Sequence, residues 1–395
     1  NAAAQVTSSA FTYDKTAPSI SAIATSALSW GAVLNATEDN SNGTVTVTTV
    51  GVEDGQTVTI TLNGATYTNT VSSNATTVTI TAAALQALTD GQSYTLTADV
   101  SDAAGNAAAQ VTSSSFAVDT TLPTISAIAT GAFSWGAVLN ATEDNNNGTV
   151  TVTTVGVEDG QTVTITLNGS TYTNTVSSDA TTVTITAAGL QGLTEGSVTM
   201  TADVSDAAGN AAAQVTSSAF TYDKTAPTIS QVTSTTNDGS YNVPDEINIT
   251  VGFSEAVTLS GGNLVVTLDT GGTATISSIT AASTASATYT VGSGETSADL
   301  SATGIALSAG TLTDAAGNAM SVFGGYTDLA DSSALVVDTT VPTISAIGTG
   351  ALSWGAVLNA TEDNSNGTVS VTTSGAEDGQ TVTITLNGAT YTNTV

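Results

Sequence analysis

Along most of its length the chain alternates β-branched apolar residues with threonine and serine, as in Thr44–Val50 (TVTVTTV), Gln56–Gly64 (QTVTITLNG) and Ser93–Val100 (SYTLTADV). A period of two marks strands with one face on a core and the other in water. The alternation breaks at turn residues: the acidic stretch Asn35–Gly43 (NATEDNSNG), GVEDG after Val50, Asn63–Gly64, and DAAGN at Asp102–Asn106. Asn-Gly between two alternating runs predicts a two-residue hairpin. TTVTITAA and the final run AAQVTSSSFAV supply further strands, and Ala83–Leu88 (AALQAL) a single helical turn. About seven short strands in 104 residues, with no long helical pattern, predict an immunoglobulin-like sandwich.

That unit repeats. The junctions YDKTAPSI, VDTTLPTI, YDKTAPTI and VDTTVPTI place Asp14, Asp119, Asp223 and Asp338 at intervals of 105, 104 and 115 residues. Fixed self-similarity makes an array of modules. The expected division is the C-terminal strand of a preceding repeat (1–14), repeats at 15–118, 119–222 and 223–337, and part of a fourth at 338–395. The third is a divergent subtype, with FSEAV at 253–257 and an insertion before its last strand. The fold class is therefore all-β, tandem sandwiches in an elongated array, and the chain reads as a window on a longer one.

Composition then narrows the chemistry. There are 33 acidic and 2 basic residues among 395, a formal net charge of −31, and no histidine or cysteine. With almost no cation to displace phosphate counterions, nucleic acid is excluded as a partner, and so are anionic membranes. No run has the length of a membrane span. Disulfide frameworks, zinc-finger spacing and Cys/His nucleophile pairs are excluded as well. Two lysines, Lys15 and Lys224, give poor material for acid–base catalysis, so no enzyme is expected. An oxygen-rich ligand set free of sulfur and imidazole points to hard cations.

Strand direction assigns the acids to the two ends of each sandwich. The junction aspartate and the B–C and F–G turns fall at one pole. This groups Asp14, Glu53, Asp54 and Asp102; then Asp119, Glu158, Asp159 and Asp206; then Asp223, Glu255 and Asp314, where Glu255 stands in for the EDG turn; and finally Asp338, Glu377 and Asp378. At the opposite pole fall Glu38, Asp39 and Asp90, then Glu143, Asp144 and Glu195, and Asp238 in the third repeat. Carboxylates this close repel one another unless protonated or metal-bound. Ca²⁺, with six to eight oxygen ligands in flexible geometry, suits such a set better than Mg²⁺.

Blander readings stand beside each of these. A lone DAAGN is an Asx turn with glycine at positive φ, EDG a solvated turn, and the Pro-containing junction a linker that blocks edge pairing. It is their recurrence and convergence that favour metal. Solubility alone accounts for the opposite-pole acids. Trp30, Trp135 and Trp354 read as core or rim packing, and Tyr67, Tyr172 and Tyr391, on a predicted strand, as structural. Asn-Ala-Thr at Asn35, Asn140 and Asn359 fits a glycosylation acceptor in form only.

The D-[TK]-T-x-P-T-I junction, the E-D-G turn and the D-x-A-G-N loop resemble the bacterial Ig-like extender repeats of giant RTX adhesins, which leave the cell by type I secretion. The resemblance implies calcium bound between neighbouring repeats of one chain, an extracellular place on a bacterial surface, and distal ligand-binding adhesin domains outside this window. It carries the ligand role to Asp14, Asp102, Asp119, Asp206, Asp223, Asp314 and Asp338. The alternative is a set of repeats that bind glycan or protein themselves, or adhere to one another.

Overall fold

A computed structural model describes residues 1–395, which form two compact units, 1–224 and 225–395. In the first unit the strands begin with β1 (Ser19–Ile20), β2 (Val33–Asn35), β3 (Gly43–Val50), β4 (Thr57–Leu62), β5 (Ala65–Thr70) and β6 (Ala75–Ile80). A one-turn helix α1 (Ala82–Leu85) leads to β7 (Ser93–Tyr94), β8 (Leu96–Asp99), β9 (Val111–Thr112) and β10 (Phe116–Asp119). One sheet has the order β1-β3-β6, the other β5-β4-β8-β9, and β10 lies between β7 and β2. The β10–β2 pair is parallel and the rest are antiparallel. This is the immunoglobulin-like arrangement, its first segment split into two short strands, β1 beside β3 and β2 beside β10.

The alternation builds it directly. Val45, Val47, Val58, Ile60, Leu62, Val78 and Ile80 are buried between the sheets, each contributing about 1.5–3 kcal/mol, while the intervening threonines face outward. The β4–β5 hairpin closes through Asn63 and Gly64 at φ 47° and 82°, the primed turn that matches strand twist. Trp30 is a core residue, edge-on to Phe116 at 5.4 Å. Its ring lies so close to Gly43 that a Cβ there would sit 2.4 Å from Cζ3.

Two runs that read as continuous strands are broken. Ser93–Val100 is interrupted at Thr95, and the final run at Ser113–Ser115. The pairs Tyr94↔Phe116 and Thr97↔Thr112 differ by one residue in register, so a bulge separates them. Ser113 fills it: its Oγ accepts from the Leu96 N–H (3.0 Å) and donates to the Ser114 carbonyl (2.9 Å).

Residues 125–222 repeat the pattern around a second core, with Gly148–Val155 paired to Ala180–Ile185 and Val138–Leu139 running parallel to Phe220–Tyr222. In the second unit a third core occupies residues 229–337. Its longest strand, Glu246–Ser260, carries Glu255. The expectation that Glu255 stands in a turn is thus corrected: the sequence FSEAV stays in strand conformation, and the register shift between Gly252 and Val257 marks a bulge there. Beyond it, Thr381–Leu386 and Ala389–Thr394 form a hairpin, and Thr343–Ile344 pairs with Thr373–Ser374.

Candidate metal centre

In the first sandwich the turns after β3 and β8 lie at the pole where β1 begins, because Ser19 is registered with Val50. Glu53 and the DAAGN loop meet there: Glu53 Oε2 accepts from the Ala103 N–H (2.9 Å). Asp102 is buried and gathers its own loop, Oδ1 accepting from the Asn106 N–H (2.7 Å) and Oδ2 from Asn106 Nδ2 (2.8 Å). These bonds hold its carboxyl below the usual range, the Asn106 side chain most strongly. Asn106 Nδ2 also approaches the Asp14 carbonyl at 3.4 Å. Asp54 turns away, its Oδ1 accepting from the Ser73 N–H (2.7 Å).

The second sandwich reproduces this and closes it further. Glu158 Oε2 accepts from the Ala207 N–H (2.8 Å), and Asp206 receives both the N–H and Nδ2 of Asn210. Asn210 Nδ2 also donates to the Asp119 carbonyl (3.0 Å). Asp119, Glu158 and Asp206, joined by Asp179, line one hollow of about 320 Å³. Burial pushes the Asp119 carboxyl above its ordinary value, and the negative charges of Asp206, Asp90 and Glu158 push the same way. Asp159, like Asp54, is spent on a turn, accepting from the Ser178 N–H (2.7 Å). Asp179 is the acid that the sequence reading missed. It occupies the place of Asn74 in a turn at φ 61°, and its signal was one Asn-to-Asp difference between two otherwise matching runs.

In the second unit the Glu255 and Asp314 carboxylates lie within 4.8 Å of each other, and Asp314 is buried under two bonds from Asn318. Asp338 and Glu377 line a shared hollow of about 470 Å³. Asp338 Oδ1 accepts from the Thr340 N–H (2.8 Å), which lowers its pKa. Asp378 is exposed. Asp223 follows the last strand of the second sandwich, its N–H donating to the Leu139 carbonyl (3.0 Å).

The acids of the opposite pole have other partners. Glu38 and Glu143 accept from the N–H groups of Asn35 and Asn140 (both 3.1 Å). Asp39 donates its own N–H to the Asn35 carbonyl (3.1 Å). Asp144 is buried and accepts from the Tyr222 hydroxyl (2.7 Å). Glu195 accepts from the Lys224 N–H (2.8 Å), and Asp238 from the Ala334 N–H (2.9 Å). Asp90 grips the connection between the first two sandwiches, with Oδ1 on the Thr120 N–H (2.6 Å) and Oδ2 on Thr121 Oγ1 (2.7 Å). Those bonds lower its pKa.

Chemically, the hollow at Asp119 offers four carboxylates and no nitrogen or sulfur ligand. Hard oxygen donors around a cavity of this size fit Ca²⁺. No lysine or arginine stands in it to balance the charge.

No protein-family model matches the chain, and no curated protein matches it. Among solved structures, the chain is similar to a Ca²⁺-stabilized adhesin that helps an Antarctic bacterium reach out and bind ice, at 27% identity over 97% of this chain and 88% of that one, TM-score 0.41. It is also similar to a 1.5-MDa bacterial ice-binding adhesin studied for host cell surface retention, at 23% identity over 83% of this chain and 98% of that one, TM-score 0.37. A bacterial immunoglobulin-like domain of the M. primoryensis ice-binding adhesin matches at 31% identity over 26% of this chain and 94% of that one, TM-score 0.19. The strand order makes the chain an array of immunoglobulin-like β-sandwiches, and it is similar to the domains of bacterial ice-binding adhesins.

Proposed function

We propose that this chain is a calcium-stiffened extender of a bacterial cell-surface adhesin of the RTX kind, a non-enzymatic stalk that holds distal ligand-binding domains away from the cell. The observation that carries the reading is the hollow at Asp119, lined by Asp119, Glu158, Asp179 and Asp206 beside the connection between two sandwiches; burial, and then the charges of Asp206, Asp90 and Glu158, raise the Asp119 pKa there. Uncompensated carboxylates in one place destabilise the fold at neutral pH, and a bound Ca²⁺ removes that penalty while tying the connection to the two turns. By the repeat pattern, Asp14, Glu53 and Asp102 hold a calcium ion in the same way, as do Glu255 with Asp314, and Asp338 with Glu377. Neighbouring repeats of the chain are thereby partners through the metal.

Thermal unfolding with calcium and with chelator tests this. A ligand bound only by the folded chain stabilises by about 2.7 kcal/mol at a hundredfold excess over its dissociation constant. The melting temperature is expected to rise with calcium, and Asp206→Asn to lower the number of ions bound in equilibrium dialysis. A melting curve unmoved by calcium would sink the proposal.

A further inference from the structure

We propose that the first two sandwiches are also joined by a metal-independent latch, in which the Asn35–Glu38 loop of one docks on the DAAGN loop of the next. Asn35 Nδ2 donates to the Ala208 carbonyl (3.1 Å), and the Ala36 N–H donates to Asn210 Oδ1 (2.8 Å). Both bonds are partly buried, and the Asn210 side chain is only 1% exposed. Each loop is rigid before it docks. Asn35 Oδ1 accepts from the Thr37 and Glu38 N–H groups (2.9 and 3.0 Å), and Glu38 returns a carboxylate to the Asn35 N–H. This reciprocal cap leaves Nδ2 as the one polar group of Asn35 aimed at the neighbour. On the other side, Asp206 fixes Asn210 through its N–H and Nδ2, so Oδ1 is presented at a set angle.

The partner is therefore read by amide chemistry: a donor pair from one loop meets an acceptor pair from the other. Asp90 completes the latch by holding Thr120 and Thr121, which fixes the chain between the two docked loops. Gly209, at φ 90°, supplies the left-handed backbone that the receiving loop needs. The Asn-Ala-Thr-Glu sequence recurs at residues 140 and 359, and DAAGN at 102 and 314, so the same code is written along the chain. The Asn35 amide is committed to this contact, which explains an Asn-Ala-Thr triplet without glycosylation.

The latch borders the calcium site through Asn210, which Asp206 holds, but it can be tested apart from calcium, because none of its four groups is a carboxylate. These 395 residues contain no cysteine, so this chain can be spin-labelled at Thr46→Cys and Thr151→Cys, exposed positions on the two sandwiches, and the distance distribution measured in EDTA. The otherwise unaltered chain is expected to keep one narrow peak without metal. Asn35→Asp retains the cap but sets an acceptor against the Ala208 carbonyl, and is expected to lose that peak in EDTA. If the parent loses its peak in EDTA, or Asn35→Asp keeps it, the proposal is overturned. Should Asn35→Asp lower the melting temperature of its own sandwich, Thr121→Val, which removes the hydroxyl from Asp90, is read by the same two outcomes. Failure of the calcium reading would appear instead as an unmoved melting temperature.

Discussion

Residues 1–14 and 210–223 have the same sequence, NAAAQVTSSAFTYD, and different structures. The second copy forms strands at Val215–Thr216 and Phe220–Tyr222, while the first has no regular structure. Phe220 is 2% exposed and Phe11 84%; Tyr222 is 0% exposed and Tyr13 71%. A strand makes no hydrogen bonds within itself, so its backbone groups need neighbours. Phe220–Tyr222 finds them in Val138–Leu139 and Gly196–Val198; for residues 1–14, which the repeat pattern assigns to the last strand of a preceding repeat, no strand within these 395 residues plays that part. Propensity and alternation are therefore a licence to form this strand, and the sandwich is what uses it.

The comparison can be broken most decisively at the phenylalanine. Phe220 packs edge-on to Trp135 and Phe133 at 5.3 and 5.5 Å, so Phe220→Ala should cost about 3–5 kcal/mol in denaturant unfolding of the second sandwich. In this 395-residue chain, without further repeats before it, Phe11→Ala should stay within about 0.5 kcal/mol. Equal effects would show that the two copies share a structure after all.

A smaller contrast is expected at the asparagine. Asn210→Ala removes bonds to Asp206 and Asp119 and the acceptor for Ala36, and should cost roughly 2 kcal/mol in the same assay. Asn1→Ala should leave the curve in place.

The smallest contrast is at the tyrosine. Tyr222→Phe keeps the ring but takes the hydroxyl from buried Asp144, at a cost of roughly 1 kcal/mol. Burial, then the bond to Asp144, pushes the Tyr222 phenol far above its ordinary pKa. A raised folded pKa means stability that is complete below the unfolded value of about 10 and lost as the pH rises through the folded one. In an ultraviolet titration of the folded chain, the Tyr222 phenol should ionise only well above the ordinary tyrosine range, a late step that Tyr222→Phe removes. A titration curve unchanged by Tyr222→Phe would contradict this.

Much of the fold was legible for a physical reason. Alternation, Asn63–Gly64 and the recurring junctions are local, and they placed the strands, the hairpin and the repeat. The sequence could not show the bulge at Ser113, because it arises from how the last two strands fit each other. Nor could it show that FSEAV continues a strand, since a glutamate beside a serine reads as a turn until its partner strand is known. At the candidate site, strand direction brought Glu53 and Glu158 to the DAAGN loops of their sandwiches, at Ala103 and Ala207. It could not tell Glu53 from Asp54. Neighbours in sequence, they point apart, one to the DAAGN loop and one to the turn at Ser73. The partners of Asn35 lie 173 and 174 positions away for its side chain and the following N–H, beyond any local pattern.

By itself, then, the sequence determined an acidic array of β-sandwiches and the chemistry of its turns, because period, turn residues and charge act over a few neighbouring positions. Only the tertiary structure decided which acids share a hollow and which are spent capping a turn. Each of those outcomes depends on groups brought together from distant parts of the chain, and a hydrogen bond or a buried ring acquires its energy only when its partner is there.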